Sequence, residues 1–568
     1  MNQSKGVRMM NQSRVLKRIA LILSIILILP NIVACASKMD SNTESGMVDN
    51  MNITVGQKES KSSSDVNFGS QTALQSTTSQ SKTESEVFYD TYKFDMDNST
   101  NMEFSTEEYN AVKEQGYQST KNHPLSTFSA DVDTASYSNI RRMLKEGRKV
   151  DTGAVRIEEM LNYFNYDYKL PEGDSPFGVT TELSDCPWNP DTKLFLLGIQ
   201  TEKIDFSKSA PSNLVFLIDV SGSMLEENKL PLVKRAFLLL AENLTEKDRI
   251  SIVTYAGNDT IVLSGTKGNQ KENIQNAINE LEAGGSTYGS KGIETAYQLA
   301  MENYIEGGNN RVILATDGDL NVGVTSESEL TRLIEDKRKS GVALSVLGFG
   351  TGNIKDNKME ALADHGNGNY AYIDSLMEAR KVLVEEMGAT LVTVASDVKF
   401  QVEFNPAKVK GYRLLGYDNR LLATEDFNND TKDAGEVGAG HSVTVLYELV
   451  PANSKMEIPE TDLKYQTTEQ TNMVDKLLTV NIRYKKPGND KSILMSEPVG
   501  INQLVDTRTT NLAFATVVAE FGLLLKDSEY KGDATFSKVL SQLDRIDYKQ
   551  DEYRAEFYQL VKTAKDIY

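Results

Sequence analysis

The sequence has 568 residues, of which 39% are hydrophobic and 25% are charged. This composition is ordinary for a folded protein with substantial cores, and the length suggests several domains. The formal net charge of −20 argues against a nucleic-acid-binding protein, because an acidic surface releases no counterions when it meets phosphate.

The N-terminus has the pattern of an export signal. Basic residues from Lys5 to Arg18 precede an apolar stretch, Ile19 to Val33, which is shorter than the roughly 20 residues that span a membrane as a helix. A small residue stands directly before Cys35. This ending resembles the lipobox of bacterial lipoproteins. The resemblance implies a signal peptide over 1–34, lipidation of Cys35, and an extracytoplasmic protein anchored to the cell membrane at the cell surface or the periplasmic face.

A polar segment follows this cysteine. Residues 35–90 are rich in Ser, Thr, Asn and Gln, so they bury too little apolar surface to offset their chain entropy, and we expect a disordered tether. The chain has two cysteines. If Cys35 carries lipid, Cys186 has no partner within the chain, and we expect it to be a packed thiol in a protein without internal disulfides.

Residues 91–205 are expected to form a small mixed flanking region. The spacing of apolar residues predicts helices at Ile140–Leu144 and Val155–Phe164 and strands at Phe177–Leu183 and Lys193–Gln200. Asp131 and Asp133 precede the first helix. Their spacing lacks the glycine and the terminal glutamate of a calcium-binding hand. Capping of the helix is therefore the favoured interpretation, and a second metal loop is the alternative.

Strands and helices alternate over residues 206–392. Apolar runs predict strands at Leu214–Ile218, Ile250–Tyr255, Thr260–Leu263, Arg311–Thr316, Ala343–Gly348 and Tyr370–Ile373, with helices between them. This order predicts an α/β fold with a doubly wound, mostly parallel, Rossmann-like sheet that is covered on both faces.

The apolar period changes to two after Asp397. Apolar and polar residues alternate over 398–404, 443–449 and 478–484, which predicts antiparallel strands of a β-sandwich-like region over 393–505, with one solvent-facing side on each sheet. Helical spacing returns in a C-terminal helical region over 506–568. We expect the strands before residue 200 to pair with the sandwich. The α/β domain would then be an insertion between the two parts of that sandwich.

Oxygen-bearing side chains occur in three loops of the α/β domain. Asp219, Ser221 and Ser223 follow the first strand, Thr287 lies in a glycine-rich loop before a helix, and Asp317 directly follows a later strand. Because the carboxyl ends of parallel strands meet at one edge of a sheet, these loops can converge there.

A hard divalent cation suits this set of oxygens. Mg²⁺ takes oxygen ligands and keeps several waters, and the absence of His and Cys disfavours zinc. Mn²⁺ is the second choice and Ca²⁺ fits less well. Ser221, Ser223 and Thr287 can coordinate the ion directly, whereas Asp219 and Asp317 can hold coordinated waters. Three neutral hydroxyls leave the ion electron-poor, so it should seek an anionic oxygen from outside.

These three motifs resemble the metal-ion-dependent adhesion site of von Willebrand factor type A domains, with all five positions present. The resemblance implies that a Glu or Asp carboxylate of a protein partner completes the metal site. The flanking stretches HPLSTFSADVDTASYSNIRRML and VRIEEMLNYFNYDY resemble bacterial lipoproteins that carry such a domain, from about residue 120 to the C-terminus. In the wider family the last helix of the domain, here near Ser375–Leu391, can couple to the affinity of the site.

Enzymatic sites fit the sequence less well. A haloacid-dehalogenase-type site starting at Asp219 needs a second Asp where Ser221 stands. The segment Gly285–Lys291 lacks the order of a phosphate-binding loop, and Gly348–Gly352 lacks the dinucleotide fingerprint. No histidine is well placed to activate Ser221. A degenerate site without metal is a further alternative.

The sequence therefore predicts a membrane-anchored, non-enzymatic lipoprotein that binds a protein ligand through a metal ion. The alternatives are a scaffolding or assembly subunit of an envelope complex with a structural metal, and a metal-dependent hydrolase. We expect Leu225, Tyr288 and Asn321 to lie around the rim of the site, where they are placed to contact a partner, and Asp319 to be a rim charge or a turn former.

Overall fold

A computed structural model describes residues 106–204, 210–285, 289–318, 327–461, 475–505 and 507–568. The expected signal peptide, lipidation site and tether lie outside the described residues, as do Thr287, Tyr288, Asp319 and Asn321. Within the described ranges, no helix is both long enough and apolar enough to cross a membrane.

The segment before the α/β domain contains short strands and buried helices. Its elements are β1 (Gln118–Ser119), β2 (Leu125–Ser129), α1 (Ala135–Lys145), α2 (Ile157–Asn162), β3 (Gly178–Asp185) and β4 (Lys193–Gln200), with a 3₁₀ turn at Thr152–Ala154. Helix α1 is buried from Ala135 to Leu144, including its polar residues. Polar side chains enclosed in this way need internal partners. Later parts of the chain supply several of those partners.

The α/β domain is built around a mostly parallel sheet. Its elements are β5 (Ser212–Asp219), a 3₁₀ turn (Gly222–Leu225), α3 (Leu230–Asn243), β6 (Arg249–Ala256), β7 (Asn258–Lys267), α4 (Lys271–Asn279), α5 (Gly289–Glu302), β8 (Asn309–Thr316), α6 (Glu327–Arg338), β9 (Ala343–Phe349), α7 (Asp356–His365), β10 (Tyr370–Ile373), α8 (Leu376–Arg380), a π-helical segment (Lys381–Glu385) and α9 (Met387–Leu391). The strand order is β10-β9-β8-β5-β6-β7, parallel except for β7 at the edge. The predicted doubly wound sheet is confirmed.

The central strand β5 is covered on both sides. Leu214, Phe216 and Ile218 pack into a core with residues of α3 and α4, whereas Val215 and Leu217 pack into a second core with residues of α5, α6 and α7. Each of these five side chains is 0% exposed. Full burial of such a side chain contributes about 1.5–3 kcal/mol. With both faces covered by helices, the open position for a polar site is the carboxyl edge of the strands.

Residues from 393 onward form strands and then helices. These elements are β11 (Thr393–Phe404), β12 (Val409–Leu415), a 3₁₀ turn (Thr424–Asn428), β13 (Gly435–Gly438), β14 (Ser442–Pro451), β15 (Lys476–Lys485), β16 (Ser492–Gly500), a 3₁₀ turn (Ile501–Gln503), α10 (Thr510–Leu525), α11 (Phe536–Leu543) and α12 (Glu552–Ile567). One sheet has the order β1-β12-β14-β4-β3, and the other has the order β13-β11-β15-β16 with β2 beside β11. Side chains from both sheets, such as Phe195 and Phe400, share one core.

Strands from before and after the α/β domain pair with each other in this sandwich. Strand β4 lies between β3 and β14, with Leu197 opposite Val445. Strand β2 pairs with β11, which places Phe128 opposite Phe400 with ring centroids 5.3 Å apart. The expected strand pairing is confirmed, and in the chain the α/β elements lie between strands of the sandwich.

The prediction of one solvent-facing side on each sheet is wrong for the sheet that contains β4. Leu194, Leu196 and Leu446 belong to a separate core, which they share with residues of α2 and α10. Both faces of this sheet are covered, because helices from the N-terminal and C-terminal parts pack over it. The continuous apolar run Leu194–Leu197 is the signal for a strand buried on both faces.

The favoured interpretation of Asp131 and Asp133 as helix caps is also wrong. Helix α1 is preceded by Thr134, whose side chain makes no capping hydrogen bond. Asp131 and Asp133 instead each accept a hydrogen bond from Arg420 at 3.1 Å. The part of the chain that the structure describes holds no group of three or more His, Cys, Asp or Glu residues arranged for a metal ion. These two carboxylates thus tie the N-terminal segment to the C-terminal domain.

Candidate metal centre

Asp219 ends strand β5, and its side chain is fully buried at the carboxyl edge of the sheet. Its Oδ1 accepts a hydrogen bond from the backbone N–H of Ser221, with an N···O distance of 2.9 Å. The following 3₁₀ turn brings the hydroxyl oxygens of Ser221 and Ser223 within 2.9 Å of each other. The carboxylate and both hydroxyls of the first motif are therefore adjacent.

The second motif lies at the end of the neighbouring strand β8. Strands β5 and β8 pair in parallel, with Ile218 opposite Ala315, so their carboxyl ends lie side by side. The Thr316 hydroxyl donates a hydrogen bond to Oδ2 of Asp219 at 3.2 Å. Asp317 is the next residue, and it is fully buried. The two aspartates of the predicted site are therefore brought to the same edge.

The third motif is described only in part. Gly284 donates its backbone N–H to the carbonyl of Val220 at 2.7 Å, and Gly222 donates to the carbonyl of Gly285 at 3.1 Å. Gly285 has φ +85°, in the region that favours glycine. The loop that leads to Thr287 is thus joined to the Asp219 loop, while Thr287 itself remains a sequence prediction.

Burial dominates the electrostatics of this edge. It raises the pKa of the Asp219 carboxyl to about 6, and the neighbouring Asp317 carboxylate acts in the same direction. Hydrogen bonds from Ser221 and Thr316 oppose this effect because they stabilise the charged form. Burial likewise raises the pKa of the nearby Tyr255 hydroxyl well above its ordinary value. Two carboxylates held away from water form a place where a cation is stabilised.

Lys229 is a residue of this site that sequence reasoning missed. Its side chain is 5% exposed, and its Nζ lies 3.2 Å from Oδ2 of Asp317. It directly precedes helix α3, where the helix dipole disfavours a positive charge. A lysine at the start of a predicted helix, directly before Leu230 and Pro231, is unfavourable for the helix. Its position was therefore the signal in the sequence that this lysine has a role other than stabilising the helix.

The donor chemistry of the described residues fits a hard divalent cation. The donors are carboxylate and hydroxyl oxygens, which Mg²⁺ and Mn²⁺ prefer, and the Lys229 ammonium shows that a positive charge is accommodated among them. Ser223 is exposed whereas Ser221 is buried, so the hydroxyl pair reaches the surface. Beside it, Leu225 is 68% exposed and offers an apolar contact.

Sequence comparison matches three family models along the chain. Residues 103–196 match the model described as von Willebrand factor, residues 213–386 match von Willebrand factor type A domain, and residues 389–567 match the C-terminal domain of the uncharacterized protein YfbK. The second of these covers the α/β sheet and its edge. The resemblance inferred from the three motifs is therefore confirmed at the level of the domain.

The chain is similar in sequence to known proteins. The uncharacterized protein YfbK of Escherichia coli K12 is 40% identical over 473 residues, which is 81% of this chain and 82% of that protein. Human inter-alpha-trypsin inhibitor heavy chain H3 is 31% identical over 175 residues, which is 29% of this chain and 19% of that protein. A solved von Willebrand factor type A structure from Catenulispora acidiphila aligns with a TM-score of 0.39 and 14% identity, over 71% of this chain and 89% of that chain. The chain belongs to the YfbK family and joins a von Willebrand factor type A domain to the C-terminal domain of that family.

Proposed function

We propose that this protein binds a protein ligand through a divalent cation at the carboxyl edge of the α/β sheet. The observation that carries the proposal is the meeting of two loops at one edge of the sheet of a von Willebrand factor type A domain. Asp219, at the end of β5, and Ser221 and Ser223 in the turn after it lie beside the end of β8, which Asp317 directly follows. Domains of this type mediate protein interactions, and this constellation supplies oxygen donors at an edge that reaches solvent.

The residues of the candidate metal centre have separate roles in this proposal. Ser221, Ser223 and Thr287 would hold Mg²⁺ or Mn²⁺ directly, and Asp219 and Asp317 would hold it through water. When bound, the ion supplies a Lewis-acidic position for an aspartate or glutamate carboxylate of the partner. Asp219 also orients Ser221 through the backbone hydrogen bond. Because the direct ligands are neutral, the ion retains charge that favours an anionic ligand.

We further propose that the protein acts outside the cytoplasm as a lipoprotein. The basic and apolar N-terminal segments and the small residue before Cys35 support cleavage there and lipidation of the new N-terminus. A lipid on Cys35 would hold the binding domain at a membrane. Metabolic labelling with a fatty acid tests this step, since Cys35→Ser should abolish incorporation of label and release the protein from the membrane fraction.

Metal binding is tested by thermal unfolding of the full chain carrying Cys35→Ser, with Mg²⁺, Mn²⁺ or a chelator. A ligand that binds only the folded state stabilises it by about 2.7 kcal/mol at one hundred times its dissociation constant, so the metals should raise Tm. Asp219→Ala should remove the shift. Ser223→Ala should weaken binding by on the order of tenfold, because it deletes one direct ligand with little effect on packing.

The matched control is Asp185→Ala, which removes an exposed carboxylate on β3 and should leave the metal-dependent shift unchanged. If Mg²⁺ and Mn²⁺ at millimolar concentration leave Tm unchanged in the parent protein, both alone and with added sodium acetate, the metal-bridged function is refuted. An equal loss in Asp219→Ala and Asp185→Ala would also contradict the assignment of the site.

A further inference from the structure

Lys229 is held beside the candidate metal centre by more than its charge. Its aliphatic chain lies across Gly350, and a Cβ at that position would overlap the lysine side chain. Gly350 has φ +77°, a conformation that other residues rarely adopt. The Tyr372 hydroxyl donates to the Gly350 carbonyl at 2.6 Å, which fixes the glycine further. The loop after β9 is therefore shaped to let the lysine reach Asp317.

The ammonium of Lys229 lies between one buried and one exposed acid. Oδ2 of Asp317 is 3.2 Å from Nζ and fully buried, whereas Oε2 of Glu226 is 4.0 Å away on a side chain that is 58% exposed. An exposed pair is screened by water and contributes little, but a buried pair interacts strongly. The contact that decides the electrostatics is the one with Asp317.

A charge count shows what this contact does to a bound ion. Asp219 and Asp317 contribute two negative charges, and Lys229 returns one positive charge, so the three together carry −1. A divalent cation would bring the total to +1. Without the lysine, the same ion would be neutralised by the two aspartates alone.

We propose that Lys229 makes this site dependent on an anionic ligand. Lys229 weakens the binding of the metal ion when no ligand is present, because its ammonium group competes with the metal ion for Asp317 and repels it. It also leaves the loaded site with a positive charge, which a carboxylate from the partner neutralises. Metal and acidic ligand therefore bind cooperatively, each raising the affinity for the other. This inference rests on the proposed metal-bridged function and names the residue that sets its ligand preference.

The test is calorimetric titration of the full chain carrying Cys35→Ser with MnCl₂ alone, and then with sodium acetate at saturating Mn²⁺. Lys229→Met keeps most of the unbranched side chain, one atom shorter, and removes its charge. We expect it to bind Mn²⁺ on the order of tenfold more tightly than the parent, and to bind acetate more weakly once loaded. Lys247→Met removes an exposed lysine before β6 and should change neither affinity.

Lys229→Met removes the ammonium group that lies beside the buried Asp317 carboxylate. The Tm of this variant in chelator should therefore fall, and the rise in its Tm on adding Mn²⁺ should exceed that of the parent. Lys229→Gln, which keeps a hydrogen-bond donor, serves as a second variant if the methionine protein does not fold. Equal Mn²⁺ affinities in the parent and the Lys229 variants would overturn this inference while leaving the proposed function intact. Weaker Mn²⁺ binding in the variants would also overturn it. Absence of any Mn²⁺ binding in the parent and in both variants would instead refute the proposed function itself.

Discussion

At the residue scale, Gly318 determines how the loop after β8 is placed. It follows Asp317 and has φ +103°. A Cβ at this position would lie 2.7 Å from the backbone nitrogen of Lys355, so the loop after β8 packs directly against the loop before α7. Only a glycine combines this conformation with this close approach. Because Asp317 is the adjacent residue, the same packing holds its carboxylate at the sheet edge.

Replacing this glycine should therefore destabilise the protein. We expect Gly318→Ala to lower the free energy of unfolding by about 2–4 kcal/mol, from left-handed backbone strain and the clash together. Gly307→Ala is the matched control, because Gly307 has φ +68° but nothing within 4 Å of an added Cβ, and it should cost only about 1–2 kcal/mol. The two losses are compared by urea denaturation. Equal losses would show that the loop before α7 moves away from the added methyl group at no cost in stability.

At the element scale, helix α1 connects the α/β domain to the rest of the protein. Arg141 is fully buried in this helix and contacts groups from several elements. Its guanidinium donates to Asp374 at 2.7 Å, to Glu378 at 2.7 Å, to Glu556 at 3.1 Å and to the Tyr163 hydroxyl at 2.8 Å. Burial raises the pKa of Glu378, and the nearby arginine opposes that rise. The helix thus supplies the cation that makes burial of these acids possible.

Removing that cation should be costly. Arg141→Met leaves buried carboxylates without compensation, and we expect a loss of about 3–5 kcal/mol in the free energy of unfolding. The control is Arg148→Met, which removes a 49% exposed arginine paired with Glu146 and should cost less than about 1 kcal/mol. Both are measured by chemical denaturation. A loss for Arg141→Met no larger than that of the control would mean that the buried network contributes no net stability.

At the scale of the whole molecule, the sandwich depends on strands that are distant in the sequence. Strand β4 lies between β3 and β14, and its residues Phe195, Leu197 and Ile199 are part of the core between the two sheets. Helices α2 and α10 then cover the other face of the same sheet. The N-terminal segment therefore forms part of the fold of the C-terminal domain.

This arrangement predicts how fragments behave. We expect residues 205–392 to fold alone, because their sheet and both of its cores are largely internal, and we expect 393–568 alone not to unfold cooperatively, because β2 and β4 are missing. Adding residues 106–204 as a separate chain should restore a cooperative transition in 393–568. Circular dichroism during heating measures each case. Cooperative unfolding of 393–568 by itself would contradict this dependence.

The local patterns of this protein could be predicted from its amino-acid sequence. The apolar runs of Leu214–Ile218 and Arg311–Thr316 predicted the parallel strands, and the alternation over 398–404 predicted an antiparallel one. These patterns are readable because each depends only on neighbouring residues and on whether one or both faces are buried. The motif around Asp219 was readable for the same reason, and Thr287 remains a prediction from it.

Which distant groups meet could not be predicted before the folded structure was known. Arg420 with Asp131, Lys229 with Asp317, and the helices that cover β4 have no local signature that names their partners. Asp131 is interpreted as a helix cap when only its neighbours in the sequence are considered. In the folded structure it is an ion-pair partner of Arg420. Burial and charge depend on what packs against a residue, and that is set by contacts between segments far apart in the sequence.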